Sequence, residues 1–465
     1  MATRIRKDKS WETQQFDKYS QICRTVNKIP QELYKQYEVK RGLRNTDGSG
    51  VLVGLTEIGG VRGYVMDDNV KRSAEGLLHY RGIDIGELVR GFQSDGRHGF
   101  EETCYLLLFG NLPNAQELKD FQYLLDEFRA LPDGFTDDMI LQAPSKDIMN
   151  KLARATLANY SYDPSPEPTP LWNLVRQCIQ LIARFPAMIA YGYQAKAHYH
   201  DRKSLFIHNP EPEIGTAANI LRMTRPDAKY TELEAEVLDL CLVLHAEHGG
   251  GNNSTFTVHV VTSAATDLYS AISAGVGSLK GLKHGGANVK VVRMMQNIKD
   301  RVQDCHNEKQ VGDHLRKIMR REAFDREGLI YGMGHAVYTL SDPRCGILKE
   351  KARVLAEEHG FEDDFIFYEI VERLAPEIVA EVKKTSKSIC PNVDFFSGFV
   401  YQMLNIPIEL YTPLFAAARV AGWCSHAIEE TIAGGRIMRP AFKNVAEPQE
   451  YLPLAQRNAV KNAAS

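Results

Sequence analysis

The sequence predicts an all-α fold carrying one small β-hairpin near its N-terminus. Three observations predict it. Apolar residues recur at helical spacing in segment after segment, strand-like alternation is sparse, and helices do not alternate with strands along the chain. The last point argues against a doubly wound α/β sheet. With 465 residues, 44% of them hydrophobic and 25% charged, the chain has the composition of a globular protein. Its length allows two or three domains.

The elements follow in order. Arg4, Arg6, Lys7 and Lys9 give a basic start, but Asp8, Glu12 and Asp17 interrupt it and no apolar segment follows. It reads as an arm and not as a targeting peptide. The hairpin is expected over 51–65, with Val51-Leu52-Val53 and Tyr64-Val65 flanking Gly59-Gly60. Helices are expected over 115–130, 174–184, 289–303, 346–359 and 413–430. Pro164, Pro166, Pro168 and Pro170 mark an extended surface loop. The clearest helix runs from Thr231 to His245. Leu233, Val237, Leu238, Leu240, Cys241, Leu244 and His245 fall on one stripe, Thr231 and Glu234 make a capping box, and Gly249-Gly250-Gly251 stops it.

Charge and cysteine usage narrow the function. Lys plus Arg number 56 and Asp plus Glu 59, a net charge of −3, which gives no bulk attraction to nucleic acid or an anionic membrane. The most apolar stretches, 185–195 and 268–279, are too short to span a bilayer. The eight cysteines contain no CxxC pair, so small buried thiols in a reducing compartment, by default the cytoplasm, are expected.

Four segments place polar residues and glycine where a helical protein prefers leucine. They are His245-Ala-Glu247-His248-Gly-Gly-Gly-Asn252; Leu282-Lys-His284-Gly-Gly-Ala-Asn288; Gly332-Met333-Gly334-His335 with Asp342-Pro343-Arg344; and Pro391-Asn392-Val393-Asp394-Phe395-Phe396-Ser397-Gly398. A lone buried histidine is usually a satisfied core residue, and a lone Asp is often a helix cap. Three histidines and an aspartate at glycine-marked element ends weaken those readings. No metal is expected. His245-x-Glu247-His248 lacks HExxH spacing, and Cys390-Pro391 has the wrong order for a zinc deaminase. Walker A, dinucleotide and G-x-S-x-G signatures do not occur either.

Together, in order, the four segments resemble the citrate synthase family. Leu77-Leu78-His79-Tyr80-Arg81-Gly82-Ile83-Asp84 is similar to its early YRGI segment. Ala418-Arg419-Val420-Ala421-Gly422 and Arg436-Ile-Met-Arg439-Pro440 are similar to its two late arginine segments. The resemblance spans about residues 45 to 445. It implies a two-domain helical fold: an N-terminal arm over 1–45, a large domain over 46–286 and 396–465, and a small domain over 287–395. It also implies a homodimer whose active sites are shared between subunits.

The implied reaction is an acyl transfer. Acetyl-CoA, a co-substrate and not a tightly bound cofactor, condenses with oxaloacetate, and citryl-CoA is hydrolysed to citrate and CoA at the entry to the tricarboxylic acid cycle. The thioester methyl group is a weak carbon acid, so it needs a base on one side and a donor to the forming enolate oxygen on the other. By resemblance Asp394 is the base, with burial beside Phe395 and Phe396 raising its pKa. His284 stabilises the enolate, kept neutral with help from the helix start at Gly285-Gly286. His335 polarises the oxaloacetate ketone. The dianion needs arginine forks: His248, Asn252, Arg344 and Arg419 are the implied ligands, with Arg439 reaching in from the partner subunit. Backbone over Tyr331, Gly332, Met333 and Gly334 is expected to line the CoA adenine. Val337-Tyr338-Thr339-Leu340-Ser341 lacks the basic residue that many relatives carry after the histidine. A 2-methylcitrate synthase, using propionyl-CoA, is the near alternative, since one methylene shifts pocket preference by only ~1–3 kcal/mol. A metallohydrolase or deaminase on His245, Glu247 and His248 is the distant one.

Overall fold

In the computed structural model of the protein, Thr231 opens the Glu232–His245 helix as its sequence predicts. The Thr231 hydroxyl accepts from Glu234 N at 3.2 Å, and a Glu234 carboxylate oxygen accepts from Thr231 N at 2.8 Å. The structure describes residues 9–46, 49–67, 70–385 and 388–457. Helices make up 59% of the described residues, beside one three-stranded sheet, so the all-α class is the one observed. Two compact units form, one ending at Leu55 and one beginning at Thr56. The first holds the helices Lys9–Val26 and Gln31–Gln36.

In the second unit periodicity located the helices Ala115–Phe128, Ala287–Lys299, Pro343–His359 and Tyr411–Ala433, and it left others unnamed, among them Ile148–Tyr162, Gly215–Thr224 and Glu362–Lys383. The helix expected over 174–184 runs instead from Leu171 to Tyr199, straight through Pro186. An interior proline costs a helix about 3 kcal/mol or more. Nearly every residue from Asn173 to Ala197 is buried, so packing on all sides outweighs that loss. The Glu232–His245 helix is likewise buried on almost every face and not along one stripe, as is Tyr411–Ala433 up to Ile428. These helices are the centre of the core. Six of the eight cysteines are buried.

The hairpin lies further along the chain than the sequence suggested. Strands β1 (Gly59–Asp67), β2 (Val70–Tyr80) and β3 (Ile83–Asp84) pair antiparallel in that order. Gly59 and Gly60 open β1 and do not form its turn, and 51–53 is not a strand. A strand's register needs a buried face. Leu52 is 83% exposed, whereas Leu78 and Tyr80 are wholly buried.

The sheet's contribution is to hold two loops of the helical body. The Tyr80 hydroxyl donates toward Val243 O (3.0 Å) and Glu247 O (3.1 Å) and accepts from Glu247 N at 3.3 Å. Gly76 N donates to Ser341 Oγ at 3.1 Å. The strand approaches so closely there that a Cβ on Gly76 would lie 2.2 Å from Ser341 O. Gly76→Ala must therefore push the 338–341 segment away, at a cost of about 1–3 kcal/mol. We expect a lower melting temperature and reduced turnover, and an unchanged value of both would show that the sheet does not hold this loop.

Candidate active site

The loop after the Glu232–His245 helix carries His248 and ends at Asn252, the N-cap of the Asn253–Thr262 helix. Asn252 Oδ1 accepts from Ser254 N (3.3 Å) and Ser254 Oγ (2.9 Å). Ser254 N also donates to His284 Nε2 at 3.3 Å, with Ser254 Oγ 3.1 Å from the same nitrogen. A ring nitrogen that accepts carries no proton, so in neutral His284 the proton sits on Nδ1. Burial first, then the charge of Arg419, lowers the His284 pKa to about 4. The helix expected after Gly286 does begin there, at Ala287, but desolvation is the larger cause.

His335 is fixed by a second arrangement. Residues 332–334 lie against 390–392 in a short antiparallel bridge between Met333 and Pro391. Gly334 N donates to Cys390 O (2.7 Å), Asn392 N to Gly332 O (2.9 Å) and Asn392 Nδ2 to Gly334 O (2.9 Å). Gly332 has φ +77°, and a Cβ there would lie 2.8 Å from Val291 Cγ2, so only glycine fits. His335 Nδ1 accepts from Val337 N (3.0 Å) and Tyr338 N (3.2 Å), which leaves the proton of the neutral ring on Nε2. The ring stacks on Tyr338 at 4.7 Å and meets His248 edge-on at 5.0 Å. Burial, then Arg344, lowers its pKa to about 4. His248 is driven well below its ordinary value by burial, then by Arg344.

Asn392 also caps the Val393–Met403 helix, its Oδ1 accepting from Asp394 N at 3.0 Å. The bridge that fixes His335 thus continues directly into the turn that presents Asp394. Burial raises the Asp394 pKa to about 6, against the pull of Arg344. Phe395 and Phe396 are fully buried beside it.

Two arginines are buried in the same region. Asp342 caps the Pro343–His359 helix and forks with Arg344, accepting from Nε at 3.0 Å and Nη2 at 2.7 Å. Its carboxylate also accepts from Val393 N at 3.3 Å. Arg419 is 0% exposed, and its Nε donates to His245 O at 2.7 Å. Both Arg419 amino groups and His248 Nε2 are buried without a hydrogen-bond partner. Burial lowers the Arg419 pKa to about 10, so it stays charged at neutral pH. Its charge is felt by His248, His284 and Asp394. A native core rarely leaves such donors unmatched, and together they suit an anionic ligand.

The structure therefore gathers His248, His284, His335, Arg344, Asp394 and Arg419. Asn252 enters through Ser254, whose position it fixes. Arg439 does not join the buried set. It is exposed on the extended stretch after Gly434. The backbone expected to line adenine is partly committed, because the carbonyls of Gly332 and Gly334 bond to Asn392. The Tyr331 hydroxyl donates to Asp325 at 2.7 Å. Sequence reasoning missed what Ser254, Asn392, Asp342 and Tyr80 do. The Asn and Asp just ahead of helix starts were available as capping signals. Tyr80 offered none.

One consequence concerns stability. Raising the Asp394 pKa from 3.8 to about 6 means the folded state holds this proton more tightly than the unfolded chain. Stability is lost as pH climbs between those values, by at most about 3 kcal/mol. Asp394→Asn should thus be more heat-stable than the parent at pH 8, with little gain at pH 4. Equal melting temperatures at pH 8 would contradict a buried, ionised Asp394.

Comparison with known proteins identifies the family. The family model described as "Citrate synthase, C-terminal domain" matches residues 43–441. A citrate synthase of Haloferax volcanii is 33% identical over 426 residues, covering 90% of this chain and 99% of that protein. A 2-methylcitrate synthase of Shewanella oneidensis is 32% identical over 387 residues, covering 82% and 92%. The crystal structure of citrate synthase from Pyrobaculum aerophilum superposes with a TM-score of 0.72 at 30% identity, covering 88% of this chain and 94% of that one. A Thermoplasma acidophilum citrate synthase, in ternary complex with carboxymethyl coenzyme A and oxaloacetate, also gives 0.72, at 25% identity, covering 90% and 99%. The chain belongs to the citrate synthase family, a family of acyl-transferring enzymes.

Proposed function

We propose that the protein condenses acetyl-CoA with oxaloacetate and hydrolyses the resulting citryl-CoA, supplying citrate to the tricarboxylic acid cycle. The observation that carries this reading is the placement of protons and charges. Two neutral imidazoles with assigned N–H donors accompany a carboxyl whose pKa is raised to about 6 and a buried guanidinium with two unmatched amino groups. Asp394 takes a proton from the thioester methyl group. His284 Nδ1–H donates to the enolate oxygen as charge develops there. The enolate carbon attacks the oxaloacetate ketone while His335 Nε2–H donates to the ketone oxygen, and the new C–C bond leaves an alkoxide that takes a proton. Water then cleaves the thioester, giving citrate and CoA. Arg344, Arg419 and His248 hold the substrate carboxylates.

Arg439 completes that set from a second copy of the chain, in a homodimer. Its exposure within one chain supports this assignment. Residues 287–395 act as the small domain that closes over oxaloacetate and excludes water. CoA lies along Tyr331–Gly334, and its phosphates face a cleft of about 310 Å³ lined in part by Lys146, Lys280, Lys290 and Arg293. Among the described residues no helix is long and apolar enough to cross a membrane. That and the buried thiols support a cytoplasmic location.

The test is thiol release from acetyl-CoA and from propionyl-CoA, each with and without oxaloacetate. We expect oxaloacetate-dependent release, faster with acetyl-CoA. Faster release from propionyl-CoA would move the protein to the 2-methylcitrate synthases, and no dependence on oxaloacetate would overturn the reading. The pH profile of kcat/KM should fall below about pH 6 as Asp394 takes up a proton. The histidines are already neutral there, and lose that form only near pH 4.

A further inference from the structure

Behind the substrate site, outside the groups given a part in the reaction, two histidines meet in an unusual way. His259 on the Asn253–Thr262 helix and His426 on the Tyr411–Ala433 helix bring Nε2 and Nδ1 to 3.0 Å of each other. Each ring's other nitrogen faces a carboxylate. His259 Nδ1 is 2.9 Å from Glu430 Oε2, and His426 Nε2 is 3.1 Å from Glu247 Oε1. An ionised carboxylate can only accept. Both outer nitrogens must then donate, which leaves a lone pair on each inner nitrogen. Two lone pairs at 3.0 Å repel unless a cation lies between them.

A third group points to the nature of that cation. Glu429 Oε1 accepts from Glu57 N at 2.9 Å, which fixes the carboxylate. Its Oε2 is buried with no hydrogen-bond partner and lies 3.8 Å from His426 Nδ1. His259 Nε2, His426 Nδ1 and a Glu429 oxygen all fall within 4.8 Å of one another, the one such group among the described residues. Ligand atoms about 2.0–2.2 Å from one tetrahedral ion lie about 3.3–3.6 Å apart, between the 3.0 Å and 3.8 Å separations seen here. A shared proton would satisfy the two imidazoles and leave Glu429 unmatched; a divalent ion satisfies all three.

We propose that His259 Nε2, His426 Nδ1 and Glu429 Oε2 form a binding site for a borderline divalent cation such as Zn²⁺, structural and separate from the chemistry. Two imidazoles and one carboxylate are the donor set such ions prefer. The outer carboxylates complete it, since metal-bound histidines almost always donate their second N–H to a carboxylate or carbonyl. Glu247 ties the site to catalysis indirectly. It accepts from Gly249 N, beside His248, so the ion would stiffen the loop that presents His248. Motif spacing could not find this set. His426, Glu429 and Glu430 share one helical face at i, i+3 and i+4, but His259 lies 167 residues away from His426. The expectation of no metal rested on contiguous motifs.

The full-length protein would be loaded with Zn²⁺ alone, desalted, and its zinc measured by elemental analysis; Co²⁺ alone in a parallel sample would report geometry through visible d–d bands. We expect close to one ion per chain, bands of a low-coordinate N/O site, and a higher melting temperature with the ion. Glu429→Gln should lose the ion. Glu430→Gln, at the edge of the site, should keep the fold and bind Zn²⁺ about 10- to 100-fold more weakly, which preserves the test if Glu429→Gln does not fold. A parent that retains no zinc would overturn the proposal in favour of a shared proton. Equal zinc in the parent and in folded Glu430→Gln would also overturn it. Neither result bears on the thiol-release assay.

Discussion

One buried carboxylate organises the active site. Asp342 terminates the Pro343–His359 helix, clamps Arg344 through two nitrogens, and accepts the N–H of Val393, the residue before Asp394. A helix cap, a buried guanidinium and the turn bearing Asp394 thus depend on the same two oxygen atoms. A buried ion pair of this kind is weak evidence for net stability, because desolvation offsets most of the attraction. Its gain here is geometric. Arg344 cannot turn away, and the Arg344 charge is held where it lowers the pKa of His335 and of His248.

The electrostatics follow from that constraint. Burial alone would push the imidazoles neutral and the Asp394 carboxyl up, and the two arginines reinforce the first effect and oppose the second. The site separates the roles of its ionisable groups through environment. The histidines are neutral with defined tautomers, set by the amide of Ser254 at one ring and those of Val337 and Tyr338 at the other. Asp394 is left as the group poised to accept a proton, held by its backbone and facing a surplus of buried positive charge.

Much of this was legible in the sequence because most of the proposed reacting groups sit at element ends, where polar residues and glycine break a hydrophobic period. His284, His335, Arg344 and Asp394 stood out for that reason, whereas Arg419, in the middle of the Tyr411–Ala433 helix, came from the resemblance alone. The helix from Glu232 to His245 was legible through its capping box. What escaped was set by packing at long range. The helix expected over 174–184 runs on through Pro186 to Tyr199 because nearly all of its residues are buried. The hairpin was placed too early because Val51–Val53 has strand propensity without a face to bury. Tyr80, bonded to a loop more than 160 residues away, and the His259–His426 contact have no local signature. Arg439 was found by resemblance alone, and its exposure in a single chain gives it no local role.

The most direct measurement is on Asp342→Asn, which keeps the size of the side chain and removes the charge that holds Arg344. Oxaloacetate binding by calorimetry and turnover should be measured together, the latter as a function of pH. If Asp342 organises both the cation and the base, oxaloacetate affinity falls and the acid limb of the turnover profile shifts in the same variant. Weakened binding with the acid limb unmoved, or wild-type values for both, would contradict the account.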